Sequence, residues 1–172
     1  MLVAENLAPR RRTRGFTLVE LLIVVIILAI LAAIVVPQFV ASTDDAKIAA
    51  LDSNLRNFRS AIALYNQQHG EYPAANADGG GNAANTEAAF LTQLTQFSDA
   101  AGNVSATKTG VFIYGPYLTR STMPPDPIMN VATVDVIGTG SLPLTSAVTT
   151  GGWKFDTATG QFIVNHSAYD DH

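Results

Sequence analysis

None of the 172 residues is a cysteine, which excludes a disulfide framework, thiolate catalysis and thiolate metal sites. Charge is sparse too, at 14% of residues against about a quarter in an ordinary soluble domain. Glycine is missing from the whole stretch Phe16 to His69, although the chain carries 13 elsewhere. That stretch therefore lacks the residue that most cheaply opens a turn. The three histidines, His69, His166 and His172, stand far apart and fit no zinc-binding spacing. There is no Gly-x-Ser-x-Gly, no P-loop and no dinucleotide fingerprint. Gly79-Gly80-Gly81 is not followed by the Lys-Ser/Thr that a phosphate cradle needs. These absences leave no catalytic constellation and no cofactor motif, so the sequence reads as a non-enzyme.

The charge that is present falls unevenly. Residues 1–15 hold Arg10, Arg11, Arg12 and Arg14 against Glu5 alone; without them six Lys/Arg face thirteen Asp/Glu, a net of −7. So acidic a surface argues against nucleic-acid binding, which depends on neutralising phosphates. Directly after the arginines, Phe16 to Val36 is apolar except for Thr17 and Glu20. As a helix this run measures roughly 31 Å at about 1.5 Å per residue, close to the hydrocarbon thickness of a bilayer. Arginines at its start keep the short tail cytoplasmic and send the rest of the chain outward.

Three readings of this segment compete. A cleaved secretory signal has an apolar region of about 7–15 residues ending in small side chains. Here the uninterrupted run Leu21–Val36 is longer, and Phe39-Val40-Ala41 puts Phe where a small residue is wanted. A plain signal anchor for a periplasmic binding or sensor domain fits the length. Neither explains Glu20, since a carboxylate in a span costs on the order of 2.5–3.5 kcal/mol at mid-helix, less near an end, and calls for a partner.

The third reading names one. Arg11-Arg12-Thr13-Arg14-Gly15-Phe16-Thr17-Leu18-Val19-Glu20 resembles the prepilin cleavage motif of type IV pilins and type II secretion pseudopilins. The resemblance implies that a membrane aspartyl peptidase cuts after Gly15 and N-methylates Phe16. It also implies that the Glu20 carboxylate pairs with the new amine of a neighbouring subunit and sets the register between them. A residue without Cβ at the cut lets the backbone approach the protease closely. Pro37 falls where family members also carry a proline, and a proline in a helix removes a hydrogen bond and kinks it. Many relatives have a glycine inside the apolar run; here the small residues are Ala29, Ala32 and Ala33. Local unwinding is then harder by roughly 1 kcal/mol per glycine replaced.

Beyond the span, Ile48, Leu51, Leu55, Phe58, Ile62 and Tyr65 repeat every three or four residues, one helical stripe that packs on a sheet. Gly70 is a natural stop. Ala74–Asn85, rich in Ala, Gly and Asn, reads as a mobile loop. Thr86 can cap a short helix with Phe90, Leu91, Leu94 and Phe97 on one face. Met123-Pro124-Pro125-Asp126-Pro127 excludes helix and central strand. Val131–Thr150 reads as weak strand and loop. Trp153–Asn165 reads as a hairpin turning at Thr157-Ala158-Thr159-Gly160.

The expected architecture is α+β, a lollipop in which one long helix is topped by a small antiparallel β-sheet. Its parts are a leader over 1–15, a transmembrane and filament-core helix over 16–36 and an amphipathic helix over 37–70. A variable region with a short helix then covers 71–111, and loop and β structure 112–172. His69-Gly70-Glu71-Tyr72-Pro73, Gly115-Pro116-Tyr117-Leu118 and the Pro-x-Asp-Pro stretch are most similar to major pseudopilins of type II secretion. That similarity implies a periplasmic pseudopilus driving protein export, its head in the periplasm and its helix in the inner membrane. The implied partners are prepilin peptidase/N-methyltransferase, copies of itself, other pilin-like subunits and an inner-membrane assembly platform. A surface pilus serving adhesion, motility or DNA uptake is the alternative within the family. Asp126, Asp156, Asp170 and Asp171 could supply oxygen ligands to calcium, and major pseudopilins, by the resemblance, bind calcium in the C-terminal loops of the head. The acidic Gly-rich loop of those relatives is not evident here, and Asp170-Asp171-His172 reads as a frayed, solvated tail in preference to a metal site.

Overall fold

The structure, a computed structural model, describes residues 15–172. It divides into two compact units, one ending at Thr43 and one running Asp44–His172. Helix α1 (Leu18–His69) contributes to both. In the first unit, Leu18–Val36 is long and apolar enough to cross a membrane, and every one of its residues is exposed. Helical backbone continues on both sides of Pro37.

In the second unit, α1 buries Leu51, Leu55, Phe58, Ile62 and Tyr65, the stripe expected from their spacing. The helix ends at His69 because Gly70 takes a positive φ of 77°. The Gly70 N–H bonds the Asn66 carbonyl at 2.8 Å, the geometry of a left-handed glycine cap. Helix α2 (Glu87–Thr95) begins where Thr86 predicts, its Oγ1 accepting from the Ala89 N–H at 3.2 Å. Phe90 and Leu94 point into the core as expected. Phe97 does not join that face. Extended backbone at Gln96 ends the helix, and Phe97 opens strand β1 (Phe97–Ser98), antiparallel to β2 (Val104–Ser105).

The C-terminal hairpin forms as expected, with β4 (Trp153–Asp156) antiparallel to β5 (Phe162–Val164). Its turn needs Gly160, where φ is 73° and a Cβ would lie 2.2 Å from the Tyr72 ring. One correction concerns β3 (Val134–Ile137). It pairs with β4 in parallel, Val134 opposite Trp153 through Ile137 opposite Asp156, so this three-stranded sheet is mixed. The physical reason lies in residues 138–152: a connection of about a dozen residues or more can return the chain to the end it left, which a tight hairpin turn cannot. Phe58 packs its ring 5.7 Å from Trp153 and 5.2 Å from Phe162, and Phe90 lies 4.8 Å from Phe155. These aromatic contacts join both helices to one face of the sheet.

Two segments expected to be loose are tied down. In the 74–85 loop, the buried Asp78 carboxylate accepts from the Gly80 and Asn82 N–H groups, the Asn82 amide and the Thr92 hydroxyl, at 2.6–3.0 Å. The same device recurs at Asp99, which accepts from the N–H of Ala101, the N–H of Asn103 and the Asn103 amide. At the C-terminal end, Asp170 accepts from the Ser146 N–H at 2.7 Å. His172 pairs with Asp52 at 3.2 Å, and its carbonyl accepts from Arg59. A free-fraying tail would make none of these bonds.

Candidate processing and assembly site

The residues that carried the sequence argument sit at the head of α1. Arg10, Arg11, Arg12 and Arg14 lie outside the described residues. Gly15 has open space around it, and Phe16 is 83% exposed. At Thr17 and Glu20 the structure adds something the sequence argument passed over. Thr17 Oγ1 accepts from the Glu20 N–H at 3.2 Å, while Glu20 Oε2 accepts from the Thr17 N–H and hydroxyl, each at 2.9 Å. This is a capping box, in which two otherwise unpaired amides at a helix start are satisfied reciprocally. The signal was present as Thr-x-x-Glu before an apolar run.

The capping box gives Glu20 a partner within its own chain, so the carboxylate does not by its presence demand a second subunit. It uses one carboxylate oxygen. Oε1 makes no hydrogen bond among the described residues, and a carboxylate oxygen can accept more than one. An amine at Phe16 would also stand at the positive end of the helix dipole, where a cation is disfavoured unless a carboxylate offsets it. The site thus offers one capped helix start, one unspent carboxylate oxygen and an exposed Gly15–Phe16 bond.

The calcium candidates are not brought together. Asp126 is fully buried, and its two oxygens accept from four backbone amides: Ile128, Met129, Val131 and Gly152, at 2.7–3.0 Å. A carboxylate so engaged has little left for a metal. Asp156 is spent likewise, on Ala158, Gly140 and Thr139. Asp170 binds Ser146, and Asp171 is exposed. Among the described residues no three His, Asp or Glu gather in a way that could hold a metal.

Residues 10–36 match the prokaryotic N-terminal methylation motif. The chain is 40% identical over 65 residues to the type II secretion system core protein G of Pseudomonas aeruginosa, covering 38% of this chain and 46% of that protein. It is 42% identical over 104 residues to the type IV narrow pilus major component of Thermus thermophilus, covering 58% of this chain and 90% of that protein. A fimbrial protein of Neisseria meningitidis is 37% identical over 67 residues, 39% of either chain. The match thus spans less than half the length of the secretion and fimbrial relatives. No solved structure matches significantly.

Proposed function

Because this chain belongs to the family of type IV pilins and type II secretion pseudopilins, we propose that it is a filament subunit, made as a precursor and cut after Gly15. Phe16 then becomes a methylated N-terminus. The observation that carries this reading is the constellation at the head of α1: Gly15-Phe16 ahead of a Thr17–Glu20 cap, followed by an apolar helix with no residue buried in its own chain. Exposed apolar surface of that extent calls for lipid or for other helices. We place the precursor in the inner membrane with its head in the periplasm, served by prepilin peptidase/N-methyltransferase and an assembly platform. In the filament the helices pack side by side, and Glu20 Oε1 receives the Phe16 amine of the next subunit. The role is structural, without catalysis.

Among filaments we favour the pseudopilus of type II secretion, supported by the likeness to core protein G. A surface pilus is the second reading, because the match to the narrow pilus component runs well into the head. Deleting the gene separates them: retained export cargo marks a pseudopilus, and lost surface fibres mark a pilus. Processing itself is tested by intact-mass analysis of envelope protein, where a chain starting at Phe16 with one added methyl is expected. A chain still starting at Met1 in cells that process other prepilins would leave a membrane-anchored binding or sensor domain as the better account.

A further inference from the structure

The end of α1 borders a cavity of about 250 Å³ whose wall includes Tyr65, His69, Glu71, Tyr72, Asn76 and Gln93, and no lysine or arginine. What these side chains leave unbonded defines what the cavity can hold. Gln93 is fully used: Oε1 accepts from the Ala74 N–H at 2.6 Å and Nε2 donates to the Gly102 carbonyl at 3.0 Å. Asn76 donates its amide to Glu71 Oε2, an orientation fixed because a carboxylate can only accept. His69 spends Nε2 on Tyr117 and Ser98, and its Nδ1 is sealed from solvent beside the Ala100 backbone.

Tyr65 differs from them. The residue is 2% exposed, yet its hydroxyl makes no hydrogen bond among the described residues and opens on the cavity. Native structures rarely leave so buried a side chain without a polar partner. Gly102 keeps the opening clear, since a Cβ there would lie 2.7 Å from the hydroxyl oxygen. Burial, with the charges of Tyr117, Glu71 and Asp99, holds the phenol above its ordinary range, so it stays neutral. The Tyr72 hydroxyl, Glu71 Oε1 and Asn76 Oδ1 are likewise unbonded among the described residues. Each of these atoms can accept a hydrogen bond, and none belongs to a group that can only donate. Such a lining calls for a ligand that brings donors and positive charge. An ammonium group has three donors and no acceptor, and tyrosine rings are among the surfaces a cation prefers.

We propose that this cavity is a binding site for a primary ammonium group, held by the Tyr65 hydroxyl oxygen, Glu71 Oε1 and Asn76 Oδ1. The group belongs either to a free small amine or to a lysine side chain of a second copy of the chain. Lys108 is the lysine placed to serve in the second case. It is exposed and makes no hydrogen bond or ion pair among the described residues, whereas Lys47 pairs with Asp44 and Lys154 binds the Thr145 carbonyl. Only that second source rests on the filament reading.

The test is a titration of the full chain in detergent micelles with methylammonium chloride at constant ionic strength, read from the amide shifts of Glu71, Asn76 and Ala101. Saturable shifts are expected. Tetramethylammonium, which carries the charge but no N–H, should bind about tenfold more weakly or worse. Tyr65→Phe and Glu71→Gln should each weaken methylammonium by about tenfold or more, the worth of a hydrogen bond to a charged group. Glu71→Gln, a surface change, should leave the melt unmoved. Carbodiimide treatment of recovered filaments then separates the sources. A Glu71–Lys108 link between copies, absent in Lys108→Met, assigns the amine to a neighbouring subunit; its absence beside saturable methylammonium binding assigns a free amine. Shifts that never saturate, meaning water only, equal binding of tetramethylammonium, or an undiminished response in Glu71→Gln would overturn the site. The titration needs no filament, so its failure leaves the filament reading standing.

Discussion

The two halves of α1 belong to one unbroken helix and end in opposite situations. From Leu18 to Val36 every side chain is exposed; from Leu51 to Tyr65 the side chains of Leu51, Leu55, Phe58, Ala61, Ile62 and Tyr65 are buried, Phe58 against the Trp153 and Phe162 rings of the sheet. The difference is periodicity. Leucine, isoleucine and valine on all sides of the first half cannot be hidden by a single partner face, so that half needs a solvent of its own kind. A single stripe in the second half is satisfied within the chain. One half is unfinished without company, and the other is complete. Its completeness owes little to size and much to buried carboxylates at Asp78, Asp126 and Asp156, which hold loops where many small exported domains use disulfides.

This contrast can be broken from either side. The largest effect on the complete half is expected from Asp126→Ala. It strands four backbone amides, at about 1–3 kcal/mol for each one left unsatisfied, and thermal melting should show the head destabilised while processing after Gly15 continues. Glu20→Ala is the mirror experiment: head melting unchanged, leader removed, filament yield sharply reduced. Normal filaments from that variant would end the pairing with the Phe16 amine.

Acid should act on the complete half alone. Burial works to raise Asp78 and Asp99, but the bonds from Thr92, Asn82 and Gly80 to one and from Asn103 and Ala101 to the other hold both below the ordinary carboxylate range. Their stabilisation is whole above about pH 4 and fades as pH falls through the lowered values. Melting midpoints taken from pH 7 to pH 2 should therefore drop in the acid limb, and less so in Asp78→Asn. Thr86→Ala, which removes the α2 cap, should cost about 1 kcal/mol in the same melts. Smallest of all is the chelator effect. With Asp126 spent on amides, stripping calcium is expected to leave the melt unmoved, and a clear drop would return Asp170 and Asp171 to consideration.

What the sequence made legible is what depends on neighbours along the chain. The α1 stripe, the Gly70 stop, the Thr86 cap and the Trp153–Val164 hairpin are each set within a few residues, and all appear where expected. The parallel placement of β3 was hidden because nothing in Val134–Ile137 says which strand it will meet. The bond of Asp170 and the long-range bonds of Asp78 and Asp126, which otherwise bind amides within five residues, were hidden for the same reason. Thr92, Gly152 and Ser146 lie 14, 26 and 24 residues from them, and an aspartate in a loop looks alike whether it binds water, metal or amides. At the candidate site the residues were legible and one relation was not: Thr17 and Glu20 cap a helix as well as mark a boundary.

Glycine's absence from Phe16 to His69 also bears on mechanics. A fibre pulled along its axis lengthens first where a helix melts most readily, and glycine lowers that threshold by about 1 kcal/mol per residue relative to alanine. A strut with none should yield late. Pro37 is then the natural compliance point, since it already lacks one backbone hydrogen bond. If such struts are bundled into a fibre, the fibre should be stiff under load, with its give concentrated at the proline of each strut.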